Sequence, residues 1–178
     1  MNTEVEKLAG SPSKSLADEP VQLTLMSEEE PDLFAFDSGF RAECGAVCGI
    51  DEAGRGPLAG DVFAAAVIFD EGTVIEGIND SKKLTEKKRE ALFDEICAKA
   101  KAYCIASASV DEIEQLNILQ ADFLAMQRAY NGLGMQAGIV LVDGNQLPQL
   151  DAEMKYVIKG DAKSASIAAA SILAKVSR

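Results

Sequence analysis

The chain has 178 residues, of which 48% are hydrophobic and 26% charged, and this composition is typical of one globular domain with a sizeable core. No apolar run approaches the roughly 20 residues that a membrane-spanning helix needs, and the N-terminus lacks an apolar signal segment, so a cytoplasmic location is expected. Histidine is absent and the four cysteines form no CxxC pair, which argues against a zinc site, removes the usual general base and predicts reduced thiols.

The net charge of −12 is unusual for a protein that binds nucleic acid. The charge is unevenly distributed, however, because residues 1–43 hold 10 acidic and 3 basic side chains. Residues 82–89 instead hold five bases and one acid. A basic patch on a mildly acidic domain is compatible with binding to phosphate backbones, and acids that ligate a metal would be neutralised by it.

The first 30 residues are rich in Ser, Pro, Glu and Asp and have little periodicity, which predicts a disordered acidic tail. The domain is predicted to occupy residues 31–178. It begins with a short docking helix over 31–43, where leucine and phenylalanine lie near helical spacing.

Short apolar runs bounded by turn residues predict strands at 46–50, 62–69, 104–108, 139–142 and 156–158. Amphipathic or capped stretches predict helices at 85–102, at 109–131 with a break near Asn117, and at 164–176. This order favours an α/β fold whose mixed sheet has antiparallel front strands and a parallel centre, flanked by helices.

Acidic residues follow two of the predicted strands. Asp51 and Glu52 come directly after the first strand, and Asp143 follows the fourth. Ligand sites in open α/β sheets lie beyond the carboxyl ends of parallel strands, so Asp51 and Asp143 converge if their strands are neighbours. Clustered carboxylates are costly without a cation, and oxygen ligands suit Mg²⁺ or Mn²⁺. The alternative, a helix cap or turn former, is stronger for Asp143 alone than for the adjacent pair.

A glycine-rich loop, Gly54-Arg55-Gly56, follows the acidic pair. Glycines let a backbone approach a ligand closely, and their N–H groups can meet phosphate or hydroxyl oxygens. The alternative is an ordinary tight turn stabilised by Pro57.

Five segments together resemble the successive blocks of the ribonuclease HII family. They are GIDEAGRGPLAG (49–60), INDSKKLTEKKRE (78–90), LNILQA (116–121), VLVDGN (140–145) and KGDAKSASIAAASILAKVSR (159–178). The resemblance covers about residues 45–178 and implies an RNase H-like fold with two-metal hydrolysis by Mn²⁺ or Mg²⁺. It also implies cleavage of RNA–DNA hybrids, or of DNA with embedded ribonucleotides, on the 5′ side of a ribonucleotide. The products would carry a 3′-hydroxyl and a 5′-phosphate, and a monomer is expected.

The same resemblance implies roles for individual residues. Asp51, Glu52 and Asp143 would ligate metal, with Asp51 bridging both ions. The loop Gly54-Arg55-Gly56 would recognise the ribose 2′-hydroxyl, which distinguishes RNA from DNA. The remaining implied substrate contacts are Lys82 and Lys83 on backbone phosphates, and Lys159, Asp161 and Ser164 near the substrate groove. The neighbouring Lys87, Lys88 and Arg89 are instead expected to form a solvated helix face.

The chain departs from the family pattern at two points. Asp61 stands where the family usually has proline, and this change is expected to alter only a local turn. The family's fourth catalytic aspartate is expected directly after Arg178, where the chain ends, so activity of residues 1–178 is expected to be low or absent. Two alternatives therefore stay open: a remnant that binds metal or duplex without cutting, and another Mg²⁺-dependent phosphoesterase on the same scaffold. The second alternative is less favoured because it has no need of a loop that senses a 2′-hydroxyl.

Overall fold

The computed structural model describes residues 30–56 and 60–178. The strands in this part of the chain are β1 (Val47–Ala53), β2 (Val62–Ile68), β3 (Ala102–Ala108), β4 (Ile139–Asp143) and β5 (Met154–Val157). The α-helices are α1 (Leu33–Cys44), α2 (Glu86–Lys99), α3 (Val110–Leu116), α4 (Ile118–Asn131) and α5 (Ala165–Ser177). Every predicted strand and helix is present, including the break at Asn117, while the tail predicted for residues 1–30 lies outside the described residues apart from Glu30.

The five strands form one mixed sheet in the order β3-β2-β1-β4-β5. β1 lies at its centre, antiparallel to β2 and parallel to β4, and β2 is antiparallel to β3. This arrangement confirms the predicted sheet, with antiparallel strands in front and a parallel centre. It also places the carboxyl ends of β1 and β4 side by side.

Helices cover the two faces of the sheet. Along β2, Ala65 and Val67 pack in one core cluster with α5, whereas Ala64 and Ala66 pack in another with α4. Alternate residues of a strand point to opposite faces, so α4 and α5 lie on opposite sides of the sheet. α5 is rich in alanine, and its backbone approaches β1 so closely that a Cβ on Gly49 would lie 2.2 Å from the carbonyl carbon of Ser166.

The first strand is longer than predicted. It was expected to end at Ile50, but it continues to Ala53 because β2 pairs with it as far as the Ala53–Phe63 register. Asp51 and Glu52 therefore belong to the strand and point to opposite faces of the sheet. This difference determines which helix each carboxylate meets.

The docking helix α1 is joined to α5 by a buried carboxylate. Asp37 accepts hydrogen bonds from Ser164 Oγ at 2.6 Å, from Ser166 Oγ at 2.7 Å and from Ser166 N at 2.8 Å. Burial raises the pKa of Asp37, while the hydrogen bonds from both serines oppose that rise.

Asp61 has an effect beyond its own turn. Its Oδ1 accepts a hydrogen bond of 3.1 Å from the backbone N–H of Val110, the first residue of α3. The expectation of a purely local change is therefore wrong, because this carboxylate connects the start of β2 with a helix 49 positions further along the chain.

The four cysteines all lie in the described residues and are free thiols, in agreement with the sequence. Among residues 30–56 and 60–178, none of the helices has the length and apolar character needed to cross a membrane.

Candidate active site

Asp51 and Glu52 occupy the last part of β1, where the strand passes between two helices. Asp51 is only 5% exposed, and its carboxylate accepts a hydrogen bond from the hydroxyl of Ser171 on α5. Asp51 Oδ1 also accepts from the backbone N–H of Glu52 at 2.8 Å. Glu52 points to the other face, where its Oε1 lies 3.7 Å from Arg55 Nη1.

Asp143 is the last residue of β4, next to the end of β1. Its Oδ1 accepts hydrogen bonds from the backbone N–H groups of Gly160, at 2.6 Å, and of Asp161, at 3.3 Å. The turn that supplies these donors contains Lys159 in the left-handed conformation, with φ at 54°. Asp143 is therefore oriented by a 3-10 turn that directly precedes α5.

These carboxylates repel one another. The pKa of Asp51 is raised well above its usual range by burial, and the negative charges of Glu52 and Asp143 raise it further. Burial also raises the pKa of Glu52, and the charge of Asp143 adds to this rise although Arg55 opposes it. Within the described ranges, no three Asp, Glu or Cys side chains are close enough, as they stand, to enclose a metal ion. A bound cation would relieve the repulsion and draw the carboxylates together.

Asp161 adds a further carboxylate to this group. The sequence placed it only near a substrate groove, but its pKa is raised by burial and then by the negative charges of Asp143 and Asp80. A fourth acidic residue beside Asp143 thus lies within the described chain. The expectation of a catalytic aspartate after Arg178 stays a prediction.

A network of hydroxyl groups leads from Asp51 to a lysine. Ser171 Oγ lies 2.8 Å from Ser81 Oγ, and Lys175 Nζ donates a hydrogen bond to the same Ser81 oxygen. Burial lowers the pKa of Lys175, although the negative charge of Asp51 opposes that change. Sequence reasoning missed all three residues, since Ser81 and Lys175 are 94 positions apart.

The Gly54-Arg55-Gly56 loop continues directly from β1. Gly54 has φ at 105°, and a Cβ there would lie 2.8 Å from the carbonyl oxygen of Asp61. Only glycine suits this combination of backbone conformation and close approach. Arg55 is 44% exposed at its side chain, and its Nε lies 3.5 Å from Asp122 Oδ2. Pro57, invoked in the alternative of a simple turn, lies outside the described residues.

Asp122 is a site residue that sequence reasoning missed. It lies on the buried face of α4, and its side chain is 0% exposed. Burial raises its pKa to about 8, and the charge of Glu52 adds to the rise while Arg55 opposes it. The available signal was an acidic residue on an otherwise apolar helix face, between Ala121 and Ala125.

A groove of about 960 Å³ opens beside these carboxylates, lined by Glu52, Gly54, Asp61, Arg89, Lys175 and Arg178 among others. Arg89 was expected on a solvated face, but it lines this groove and donates a hydrogen bond of 3.0 Å to the carbonyl oxygen of Ser81. Lys87 and Lys88 are exposed, as expected. The groove thus combines cationic side chains with the acidic end of β1.

A family model described as ribonuclease HII matches residues 48–178. The chain belongs to the ribonuclease HII family. It is 63% identical over 134 residues to the ribonuclease HII of Delftia acidovorans and 61% identical over 134 residues to that of Verminephrobacter eiseniae. Each match covers 75% of this chain, and they cover 57% and 64% of the two relatives. The chain thus spans about three fifths of the length of these relatives.

Solved structures agree with this assignment. The ribonuclease H2 of Pyrococcus horikoshii matches with a TM-score of 0.66 and 28% identity, covering 75% of this chain and 72% of that one. Ribonuclease HII in a complex with PCNA from Archaeoglobus fulgidus matches with a TM-score of 0.59, 28% identity and the same coverage. Bst-RNase HIII in complex with Mn²⁺ has a TM-score of 0.64 at 18% identity, covers 74% of this chain and 51% of that one, and supports the fold alone. The RNase H-like fold implied by the resemblance is confirmed.

The ribonuclease HII match includes every site residue expected from the sequence. In the structure, some of the expected substrate contacts are exposed and others are buried. Lys82 and Lys83 are exposed on a 3-10 turn, where Asp80 Oδ1 accepts a hydrogen bond of 2.9 Å from Lys82 N. Lys159 is exposed as well. Ser164 is fully buried. Its hydroxyl donates a hydrogen bond to Asp37 and accepts one of 3.2 Å from Ile167 N. Ser164 thus caps α5 in this structure, and its contact with substrate stays a prediction that its burial does not favour.

Proposed function

We propose that this chain carries the catalytic core of an endonuclease of the ribonuclease HII type. It would degrade the RNA strand of RNA–DNA hybrids and nick duplex DNA on the 5′ side of embedded ribonucleotides. The observation that carries the proposal is the position of Asp51, buried at 5% exposure in β1 beside the charges of Glu52 and Asp143. A monomer in the cytoplasm is part of the same proposal.

The donor atoms in this site fit Mg²⁺ or Mn²⁺. Asp51, Glu52, Asp143 and Asp161 supply only carboxylate oxygens, which hard divalent cations prefer. Burial and the charges of neighbouring carboxylates raise the pKa values of Asp51 and Asp161, and a bound divalent cation would offset both effects. Two such ions, when bound, would activate a water and neutralise charge on the attacked phosphate.

Residues of the chain itself would hold the substrate. The exposed Lys82 and Lys83, with Arg89 and Lys175 at the groove, would bind backbone phosphates. The Gly54-Arg55-Gly56 loop would present backbone N–H groups and a guanidinium to the ribose 2′-hydroxyl. Cleavage would leave a 3′-hydroxyl and a 5′-phosphate.

The central experiment uses a labelled DNA duplex with one embedded ribonucleotide, incubated with a full-length version of the protein and Mn²⁺ or Mg²⁺. We expect a single nick 5′ to the ribonucleotide and no cutting of an all-DNA duplex of the same sequence, whereas residues 1–178 alone should show low or absent activity. Equal cutting of both duplexes would exclude a role for the loop in sensing the 2′-hydroxyl. Binding of Mn²⁺ and duplex without any nicking would favour the alternative of an inactive remnant.

Asp51→Asn tests the ligand assignment. It removes the charge but preserves the shape of the side chain, so we expect nicking and Mn²⁺ binding to be lost while the fold is retained. Calorimetric titration with Mn²⁺ measures the binding, and circular dichroism measures the fold. Asp94→Asn on the exposed side of α2 is the matched control, because it removes the same charge at a position that does not line the groove.

A further inference from the structure

Asp122 is a buried acid that the proposed chemistry does not use. Its two carboxylate oxygens accept no hydrogen bond from residues 30–56 or 60–178, although the side chain is 0% exposed. It points from α4 toward Arg55, whose Nε lies 3.5 Å from Asp122 Oδ2. A buried carboxylate without hydrogen bonds opposes folding, so its place facing a single guanidinium suggests a functional reason.

Arg55 has two acidic neighbours in the described residues, Glu52 and Asp122, and they differ in what else they would bind. Glu52 Oε1 lies 3.7 Å from Arg55 Nη1, but Glu52 would also ligate a divalent cation. Its charge would then be shared between the cation and the guanidinium. Asp122 is enclosed on α4, which packs against the sheet, so its position is set by the helix.

The loop that carries Arg55 needs such an external support. Gly54 and Gly56 flank the arginine and have no side chains with which to restrain it. The Asp122 contact therefore connects a glycine-rich segment to the first half of α4, whose apolar face is buried against the sheet. A displacement of about 1 Å in a group that positions the substrate can greatly reduce the rate at which that substrate is processed.

We propose that Asp122 is a positioning residue that holds the guanidinium of Arg55 beside Glu52 and thereby sets the preference for a ribonucleotide over a deoxyribonucleotide. The preference itself rests on the function proposed above. Asp122 also borders a cavity of about 240 Å³ together with Glu52, Asp143 and Asn145, so direct ligation of a cation is the competing role. The anchor is favoured because the partner within reach of Asp122 is the guanidinium.

The first test observes Arg55 without requiring activity. The chain has five arginines, so their Nε–H signals can be resolved by NMR, and Arg55→Gln identifies the one that belongs to Arg55. We expect Asp122→Ala to shift this signal and speed its exchange with water, whereas Asp94→Ala, an exposed aspartate on α2, leaves it unchanged. An unchanged Arg55 signal in Asp122→Ala overturns the proposal. If that variant does not fold, the nearly isosteric Asp122→Asn replaces it.

The second test measures discrimination. Fluorescence anisotropy in Ca²⁺ compares binding to a duplex with one ribonucleotide and to an all-DNA duplex, and we expect Asp122→Ala to reduce the ratio roughly tenfold. Mn²⁺ affinity without duplex should stay the same, and adding Asp122→Ala to Arg55→Gln should cause no further loss. Loss of Mn²⁺ affinity with an unchanged Arg55 signal makes Asp122 a ligand and refutes the anchor. If the unmodified chain binds both duplexes equally, the proposed function fails, and the Arg55 signal alone decides the role of Asp122.

Discussion

The backbone N–H of Gly160 donates a 2.6 Å hydrogen bond to Oδ1 of Asp143, across 17 positions of sequence. This bond determines the direction in which the carboxylate at the end of β4 points. The donor lies in the 3-10 turn that leads into α5. The same turn therefore begins the approach to α5 and orients the candidate metal ligand. The position of Asp143 therefore depends on how closely this turn approaches the strand.

Gly160→Ala should disturb that approach. A Cβ at this position would lie 2.6 Å from Ile167 Cδ1 and 3.1 Å from Asp143 Oδ1, so the Ile167 side chain must shift and the turn or the Asp143 carboxylate must give by a few tenths of an ångström. We expect Mn²⁺ affinity, measured by calorimetry, to fall by about tenfold, as is typical when the support of a ligand is lost. Gly39→Ala on α1, where a Cβ meets nothing within 4 Å, should leave it unchanged. Equal affinity of Gly160→Ala and the unmodified chain would contradict this account of Asp143.

Gly49→Ala should destabilise the domain. Its Cβ would overlap the backbone of Ser166, which a side-chain rotation cannot relieve, so β1 and α5 must separate. We expect the free energy of unfolding to fall by about 3 kcal/mol in urea denaturation. Gly39→Ala lies within a helix with open space around it and should instead stabilise by about 0.5 to 1 kcal/mol. A similar effect of both substitutions would argue against close packing of α5 on β1.

Asp37→Ala should release α1 from α5. The substitution removes the acceptor of three hydrogen bonds and leaves the buried hydroxyls of Ser164 and Ser166 without it. A loss of about 3 kcal/mol in the free energy of unfolding is expected. Ser38→Ala, on the exposed side of the same helix, is the control and should change stability little. If thermal denaturation showed no difference between the two variants, the Asp37 contacts would be energetically unimportant.

Glu112 provides a prediction about acid pH. Hydrogen bonds from Arg128, at 2.6 and 2.8 Å, and from the backbone of Ser109 lower its pKa from 4.5 to about 2. Because the folded state favours the ionised form, the stabilisation is complete above pH 4.5 and is lost as the pH falls toward about 2. The melting temperature of Glu112→Gln should lie below that of the unmodified chain at pH 6, and the gap should close by about pH 2. A gap that is independent of pH would mean that the charge of Glu112 is not involved.

Much of the fold could be predicted because the patterns that encode it are local. The apolar run at β4, the Ser109–Glu112 capping box and the break at Asn117 each depend on residues a few positions apart. The end of β1 could not be placed in this way. It depends on pairing with β2, which adds three residues and turns Asp51 and Glu52 to opposite faces.

The sequence by itself determined the mixed sheet and the family, and it predicted the candidate metal ligands Asp51, Glu52 and Asp143, because strand periodicity and the motifs at strand ends are short-range features. Only the tertiary structure decided that Asp161 lies beside Asp143, that Ser164 is a buried cap and that Asp122 faces Arg55. These relationships join groups that are 18, 127 and 67 positions apart or belong to different helices and strands. The physical reason is that burial and charge depend on which elements pack together, and a local pattern of residue types does not contain that information.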